Sequence, residues 1–263
     1  IRNESKISKV GVRSLRDGTE SLLDASALVV AVGFEPFDPS NKVFWGYGRL
    51  SGVMTLSDLN EIMMRDSIAQ EMGNGNHPLH IAFFQCVGSR DITVGANYCS
   101  QHCCKASLRM AVKLKYLFPE WEIVLYYIDL QLAGKMAGSL LREARENGIR
   151  LVQGVPGEVT AGNQGKLTVI REQNGCNVRE EFDKIVLSIG QRPAPSIRSL
   201  AEMLNIPRDQ FGFAAHESPI QPGRTSVPGV YLAGTCSVPG DIEKTLLYAG
   251  QTAAAVLADH AAL

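Results

Sequence analysis

The sequence has almost no net charge, no long apolar run and no glycine-rich nucleotide fingerprint. Over 263 residues the formal net charge is only -1, so the basic excess that drives sequence-independent nucleic-acid binding is missing. The longest apolar stretch, residues 27–34, falls far short of the roughly 20 residues that a membrane-spanning helix needs. We therefore expect a globular chain that neither binds nucleic acid nor inserts directly into a membrane.

The sequence also lacks an initiator methionine and a charged-then-apolar leader, so we expect no signal peptide and a chain that is a fragment of a longer protein. Without a secretory context, the six cysteines are not expected to form a disulfide framework. Four of them fall within nineteen residues, and two of these are adjacent. This crowding favours a metal site in a reducing, cytoplasmic compartment.

Apolar periodicity predicts an α/β protein with a parallel sheet in the middle of the chain. Residues 1–26 alternate as short antiparallel strands, and residues 27–33 form an apolar run that we expect to be buried on both faces. Thr55, with Asp58 three residues later, predicts the start of a helix. From residue 79 onward strands and helices alternate, which is typical of βαβ units.

One design occurs twice, an apolar strand that ends in a glycine and is followed three residues later by a proline. The two glycines are Gly33 and Gly190. The turn-rich segment 73–78 adds a further boundary. The sequence therefore predicts three parts, which are residues 1–77, residues 78–190 and residues 191–263.

The strongest chemical signal is the pattern C-x12-C-x3-C-C formed by Cys86, Cys99, Cys103 and Cys104. Four thiolates on a strand end, a loop and a helix start match the ligand count of a 4Fe-4S cluster or a structural zinc. Adjacent ligands suit the separate corners of a cluster better than one compact zinc. Cys103 and Cys104 are expected at a helix N-terminus, where free N–H groups favour the thiolate. Buried or redox-active cysteines without metal are the alternative.

These residues together resemble a known family. The two strand-to-glycine exits, the segment Gly-Val-Tyr-Leu-Ala-Gly at 229–234 and the closing helix look like the two-dinucleotide-binding-domain flavoproteins of the disulfide reductase and thioredoxin reductase kind. Cys-Val-Gly-Ser-Arg-Asp at 86–91, Tyr-Cys-Ser at 98–100 and the adjacent cysteines narrow the resemblance. They resemble the A subunit of heterodisulfide reductase and its relatives in the quinone-interacting membrane-bound oxidoreductase complex.

The resemblance implies an α/β fold with three-layer parallel sheets and β-meanders, and an oxidoreductase subunit that relays electrons between FAD and a 4Fe-4S cluster on the four cysteines. It assigns residues 1–77 and 191–263 to segments of an FAD domain whose N-terminal part is missing. Residues 78–190 become an inserted NAD-domain-like unit that carries the cysteine loop. By position, the resemblance places these residues along the flavin: Gly33, Phe34, Gly190, Gln191, Arg192, Gly234, Thr235, Asp241, Ile242, Glu243 and Thr245.

The sequence departs from the pattern of this family at several positions, and each departure changes what we expect of cofactor binding. No G-x-G-x-x-G occurs, so the chain resembles the latter part of a longer protein and is expected to hold FAD poorly or not at all in isolation. The cysteine loop stands where a pyridine-nucleotide site would have its glycine-rich turn, which argues against NAD(P)H binding there. Thr235 replaces an aspartate that contacts the ribityl chain, and Gly240 replaces a lysine that would tune the flavin.

The expected partners are other subunits of an electron-transfer complex, with peripheral membrane association only through them and a homodimer left open. Two alternatives remain. One is a non-catalytic scaffold in which the cysteine loop and the basic helix after it dock partner subunits. The other is an NAD(P)H-dependent flavin disulfide reductase that uses Cys103 and Cys104 as a dithiol. Cys176 and Cys236 are expected to be unligated, and His102 is expected to lie near the metal without binding it.

Overall fold

The computed structural model of the protein describes residues 2–3, 6–65, 68–73 and 77–261, and it divides into two compact units. The split unit joins Ile1–Glu35 to Gln191–Leu263, and the cysteine unit comprises Pro36–Gly190. The strands, in chain order, are β1 (Arg2–Asn3), β2 (Lys6–Ile7), β3 (Lys9–Arg13), β4 (Glu20–Asp24), β5 (Leu28–Val30), β6 (Phe34–Pro36), β7 (Val53–Thr55), β8 (His80–Val87), β9 (Glu122–Tyr127), β10 (Arg150–Gln153), β11 (Glu158–Ala161), β12 (Leu167–Gln173), β13 (Cys176–Phe182), β14 (Lys184–Ile189), β15 (Gln191–Pro193) and β16 (Val230–Leu232). The α-helices are α1 (Leu56–Met63), α2 (Ile68–Gly73), α3 (Cys103–Leu117), α4 (Ala137–Glu146), α5 (Pro195–Leu204) and α6 (Ile242–Ala261).

A five-stranded parallel sheet in the order β10-β9-β8-β14-β7 forms the centre of the cysteine unit. Side chains alternate between its two faces, and β8 shows this directly. Ile81 and Phe83 pack with side chains of α1 to α4, whereas Ala82 and Phe84 pack with side chains of the antiparallel sheet β11-β12-β13. The unit thus has three layers, and the predicted α/β fold with a parallel sheet is confirmed.

Residues 36–65 and 68–73 belong to the cysteine unit, although the sequence placed them in the first part of the chain. Strand β7 pairs in parallel with β14, with Val53 opposite Ile185, so this segment completes the sheet. The predicted helix start is confirmed, because Thr55 Oγ1 accepts the Asp58 N–H at 3.1 Å and the Asp58 carboxylate accepts the Thr55 N–H at 2.7 Å. The compact unit begins at Pro36 rather than at residue 78, and the predicted boundary segment 73–78 lies partly outside the described residues.

The split unit consists of two-stranded sheets and the helices α5 and α6. Strands β5 and β16 pair in parallel, and their core side chains pack with those of α5. The expectation that residues 27–33 are buried on both faces is wrong, because Val29 is 45% exposed and Val32 is 38% exposed. Val30 is the buried side chain of β5, at 5% exposure, and it belongs to the core of the split unit. One face of the strand is therefore covered by that core. Within the described part of the chain, none of the helices is long and apolar enough to cross a bilayer.

Candidate metal centre and flavin residues

The four cysteines of the predicted metal site line one cleft at the carboxyl end of the parallel sheet. Cys86 is the last but one residue of β8, and Cys103 and Cys104 begin α3. From β8 the chain continues to β9 and β10 on one side, while β14 and β7 lie on the other side. Open α/β sheets bind their ligands outside the carboxyl ends of the strands at such a reversal. The cleft therefore occupies the position at which this class of sheet binds ligands.

Side-chain hydrogen bonds hold the loop that connects the cysteines. Ser89 Oγ donates to the Tyr98 carbonyl oxygen at 2.9 Å and accepts the Ser100 N–H at 3.0 Å. Gly190, at the end of the neighbouring strand, approaches this loop closely. A Cβ at Gly190 would lie 2.9 Å from the Gly88 carbonyl oxygen and 3.0 Å from Ser100 Oγ. Because one of these atoms belongs to the backbone, only glycine permits this approach without a shift of the loop.

Three residues of this loop that are not glycine have left-handed backbone conformations. The φ angles are 61° at Cys86, 55° at Arg90 and 61° at Gln101. Such conformations cost free energy and persist only where surrounding contacts enforce them. They are concentrated at functional sites more often than elsewhere, which supports a functional role for this loop.

A buried lysine anchors the segment between the first two cysteines. Lys42, whose side chain is 7% exposed, pairs with Asp91 and donates to Thr93 Oγ1 at 2.9 Å. Asp91 also accepts the Thr93 N–H at 2.9 Å. The sequence did not single out Lys42, because an isolated lysine gives no sign that its charge is buried.

Burial raises the pKa of three thiols of the cleft, those of Cys86, Cys103 and Cys104, so they stay protonated when no metal is bound. It raises the pKa of Cys86 to about 12, and the neighbouring Cys104 and Cys99 add to the rise. Burial likewise raises the pKa of Cys103 and of Cys104. Cys103 begins α3 as predicted, but burial outweighs the helix N-terminus, so the expected preference for thiolate is wrong for the metal-free thiols. Bound metal cations reverse this balance, because they deprotonate a coordinating thiol.

The spacing of the donors in the cleft does not suit a single metal ion. Within the described residues, no three His, Cys, Asp or Glu side chains group closely enough to hold one metal ion. A tetrahedral zinc with Zn–S bonds of about 2.3 Å would need its sulfurs about 3.8 Å apart. An iron-sulfur cluster places each thiolate on a different iron, so the four sulfurs of one cleft need not converge on one point.

The remaining candidates around the cysteines occupy distinct places. His102 lines the cleft, and its ring nitrogens lie 3.9 and 4.0 Å from Cys103 Sγ. Cys176 is exposed at the start of β13. Cys236 is buried in the split unit, where its thiol donates to the Val30 carbonyl oxygen at 3.2 Å. Neither Cys176 nor Cys236 lines the cleft.

Most residues that the resemblance placed along the flavin lie in the split unit, and several contact one another. Gly33 and Gly234 are left-handed, with φ angles of 73° and 74°. Gln191 Nε2 donates to the Gly240 carbonyl oxygen at 3.0 Å, and Gln191 Oε1 accepts the Gly240 N–H at 2.9 Å. The Gln191 amide thus holds the loop before α6 through its backbone. The sequence missed this role, because no local pattern links residues so far apart.

The start of α6 brings three further candidates together. Asp241 Oδ1 accepts the Lys244 N–H at 3.1 Å and so caps the helix as predicted. Thr245 Oγ1 donates to the Asp241 carbonyl oxygen at 3.0 Å, and the Thr245 methyl lies 3.5 Å from the Cβ position of Gly234. Thr235 is buried beside Gly234.

Other flavin candidates differ in their exposure. Phe34 is 41% exposed and Ile242 is 78% exposed, and Glu243 is also exposed. Arg192 Nη1 is buried and has no hydrogen-bond partner among the described residues. Gly190 lies in the cysteine unit, where a Cβ at this position would meet Gly88, Ser89 and Ser100 of the cysteine loop.

Comparison with known protein families and curated proteins gives a consistent result. Residues 2–256 match the family model described as pyridine nucleotide-disulphide oxidoreductase. The chain is 34% identical over 245 residues to the A subunit of the ferredoxin/F(420)H(2)-dependent CoB-CoM heterodisulfide reductase of Methanosarcina acetivorans, a match that covers 89% of this chain and 30% of the relative. It is 31% identical over 251 residues to the A subunit of the H(2):CoB-CoM heterodisulfide,ferredoxin reductase of Methanothermobacter marburgensis, covering 92% of this chain and 38% of the relative. The predicted resemblance is confirmed, and the chain spans about a third of the length of these relatives.

Solved structures agree on the fold. Thioredoxin reductase of T. acidophilum has a TM-score of 0.55 at 13% identity, covering 91% of this chain and 67% of that one. The HOCl-induced flavoprotein disulfide reductase RclA of Escherichia coli has a TM-score of 0.52 at 9% identity, covering 91% of this chain and 45% of that one. These likenesses confirm the predicted disulfide reductase-like fold class.

Proposed function

The chain belongs to the pyridine nucleotide-disulphide oxidoreductase family, and from this premise we propose that it is the part of a flavin and iron-sulfur oxidoreductase that relays electrons between FAD and a 4Fe-4S cluster. The observation that carries the proposal is the single cleft lined by Cys86, Cys99, Cys103 and Cys104. The cluster, when bound, supplies a one-electron carrier. The relatives, which are A subunits of heterodisulfide reductases, support the same class of protein.

The cysteines would hold the cluster, and the loop contacts prepare them for it. Burial and the neighbouring thiols raise the pKa of Cys86 and of Cys103, so these thiols are uncharged without metal, and the positive charge of iron would compensate for the thiolates that a cluster needs. Ser89 and Gly190 fix the loop before metal enters. His102 lies close to Cys103, where it can shield the sulfur from water without being a ligand.

The split unit supports the second half of the proposal. Buried Arg192 Nη1 lacks a protein acceptor among the described residues, and a flavin offers carbonyl and phosphate oxygens that accept such a hydrogen bond. Gln191, through Gly240, sets the loop that leads to Asp241 and Thr245. We assign these residues, together with the other flavin candidates of the sequence, to FAD in the longer protein.

The proposal has consequences for the isolated chain. Because the chain spans about a third of the relatives' length, we propose that it holds little or no FAD alone and functions with other subunits of an electron-transfer complex. Gel filtration followed by an absorbance spectrum tests the first part. Stoichiometric yellow flavin in the protein peak would contradict it. The cytoplasmic location and the homodimer stay predictions.

The cluster itself is tested by anaerobic purification and reconstitution with iron and sulfide. We expect about four irons per chain and an EPR signal in the reduced state. Cys104→Ser is expected to lose or alter this signal, whereas the matched control Cys176→Ser, at an exposed cysteine outside the cleft, leaves it unchanged.

Other outcomes would favour the alternatives. Bound zinc or free thiols in place of iron would contradict the electron relay. NADH oxidation that depends on Cys103 would favour the disulfide reductase. Partner binding that survives replacement of all four cysteines by serine would favour the scaffold.

A further inference from the structure

An ion pair between Arg90 and Asp129 lies beside the cysteine cleft. Arg90 follows the end of β8, and Asp129 follows the end of the neighbouring strand β9. The Arg90 guanidinium donates to Asp129 Oδ1, and the two side chains are 27% and 49% exposed. Asp129 itself lines the cleft beside the four cysteines. Two loops of the sheet edge are thus joined by opposite charges next to the candidate ligands.

Both partners of this pair are held in place by further contacts. The Arg90 backbone has a left-handed φ of 55°, and its N–H donates to the Tyr98 carbonyl oxygen at 2.8 Å, one residue before Cys99. Asp129 Oδ2 accepts from Gln131 Nε2 at 3.0 Å. The charges therefore stand at fixed positions relative to the cysteine loop.

The charges of the pair act on the cysteine sulfurs in opposite directions. The Arg90 guanidinium follows Cys86 by four residues, and the Asp129 carboxylate lines the cleft together with Cys86 and Cys104, so opposite charges lie near the same sulfurs. Hydrogen bonding from Arg90 lowers the pKa of Asp129, so the carboxylate is ionised at neutral pH. A guanidinium is charged at every relevant pH. The cleft thus has a permanent positive neighbour and a partly screened negative one.

We propose that Arg90 and Asp129 set the reduction potential of the cluster that the four cysteines hold, Arg90 raising it and Asp129 lowering it. This inference rests on the proposed function. Reduction adds one electron and therefore one negative charge to the cluster, and no bond forms or breaks. A nearby cation favours the reduced state and a nearby anion disfavours it. Because Asp129 is more exposed than Arg90, solvent screens its effect more strongly.

The test is a redox titration of the reconstituted chain with dithionite, followed by EPR. We expect Arg90→Gln to shift the midpoint potential downward and Asp129→Asn to shift it upward by a smaller amount. The double variant is expected to lie near the parent, between the two single variants. Arg145→Gln and Glu146→Gln are the matched controls, since both residues are exposed on α4 and outside the cleft lining, and we expect them to leave the potential unchanged.

Several results would overturn the inference. Shifts of the same sign in both single variants, or no shift in chains that still contain about four irons, would show that the pair is merely structural. If Arg90→Gln fails to load iron, the inference is tested with Arg90→Lys and Asp129→Asn instead. Arg90→Lys keeps the positive charge and should keep the parent potential, whereas Asp129→Asn should still shift the potential upward. Absence of iron from the parent itself would instead contradict the proposed function, so the two failures are distinguishable.

Discussion

The cysteine unit and the split unit of this chain are built differently. The cysteine unit encloses its parallel sheet between helices and a second sheet, and Phe83, Phe84 and Leu125 have no exposed surface. In the split unit the sheets have two strands each, and Leu22 and Leu246 are 59% and 68% exposed. The candidate metal ligands therefore belong to a unit whose core is fully enclosed, whereas most flavin candidates belong to a unit whose core is small and partly exposed. Equivalent substitutions in the two units should have unequal effects.

A large difference is expected for the same phenylalanine substitution in each unit. Phe83→Ala removes a fully buried ring and should lower the free energy of unfolding of the cysteine unit by about 3–5 kcal/mol. Phe34→Ala, at a 41% exposed position of the split unit, should cost less than about 1 kcal/mol. Urea denaturation followed by circular dichroism measures both. Equal losses would mean that the two units do not differ in their cores.

A smaller effect is expected from the buried lysine of the cysteine unit. Lys42→Met leaves Asp91 without its cation, although Thr93 still donates to it, and should cost about 1–3 kcal/mol. Lys113→Met, at an exposed lysine of α3, is the matched control and should cost less than about 0.5 kcal/mol. Thermal unfolding of both variants at pH 7 makes the comparison.

The same pair makes stability depend on pH. Burial raises the pKa of Asp91, but hydrogen bonds from Lys42 and Thr93 outweigh it and hold the pKa below its ordinary value. The contribution is therefore fully present above the unfolded pKa of about 3.9 and is lost as pH falls through the lower folded pKa. Unfolding free energies between pH 5 and pH 3 should fall less steeply in Lys42→Met than in the parent. An unchanged slope would contradict this account.

Helix caps provide a control for this comparison. Because a cap acts locally, its contribution to the free energy of unfolding should be about the same in both units. Thr55→Ala removes the capping box of α1 and should cost about 1 kcal/mol. Asp241→Ala removes the cap of α6 and should cost a similar or slightly smaller amount. Chemical denaturation measures both. A cost several times larger in one unit would show that its cap also supports tertiary contacts.

The smallest effect is expected on the exposed side of α6. Leu246→Gln replaces a 68% exposed side chain and should change the free energy of unfolding by less than about 0.5 kcal/mol. Leu108→Gln, at a fully buried position of α3, should in contrast prevent stable packing of the cysteine unit. Thermal melts of the two variants test this contrast, and a large loss in Leu246→Gln would reveal a hidden contact of this helix.

Local signals in the sequence predicted local features of the fold well. The helix start at Thr55, the cap at Asp241 and the parallel sheet that contains β8 are all confirmed. Each depends on residues close together in the chain or on a regular apolar pattern. The cysteine spacing likewise predicted that the four thiols share one place, and they do line one cleft.

Features that depend on distant contacts could not be predicted in this way. The burial of Val29 depends on how many layers cover its strand, and an apolar run does not report that. The pairing of β7 with β14 joins residues far apart in sequence. The raised pKa of Cys103 results from burial under other elements, which the helix N-terminus alone does not reveal. The pairing of Gln191 with Gly240 is of the same kind.

The chain enters and leaves the cysteine unit at adjoining points. The Phe37 N–H donates to the Gly190 carbonyl oxygen at 2.9 Å, so the second and the last residue of the unit are hydrogen-bonded neighbours. Segments whose two ends meet are the ones that proteins accept as insertions and release as excisions. The unit therefore meets the geometric condition for an insertion that can be added to a chain or removed from it with the cysteine loop intact. The adjoining ends also favour Pro36–Gly190 as the shortest fragment to express for experiments on the cysteines.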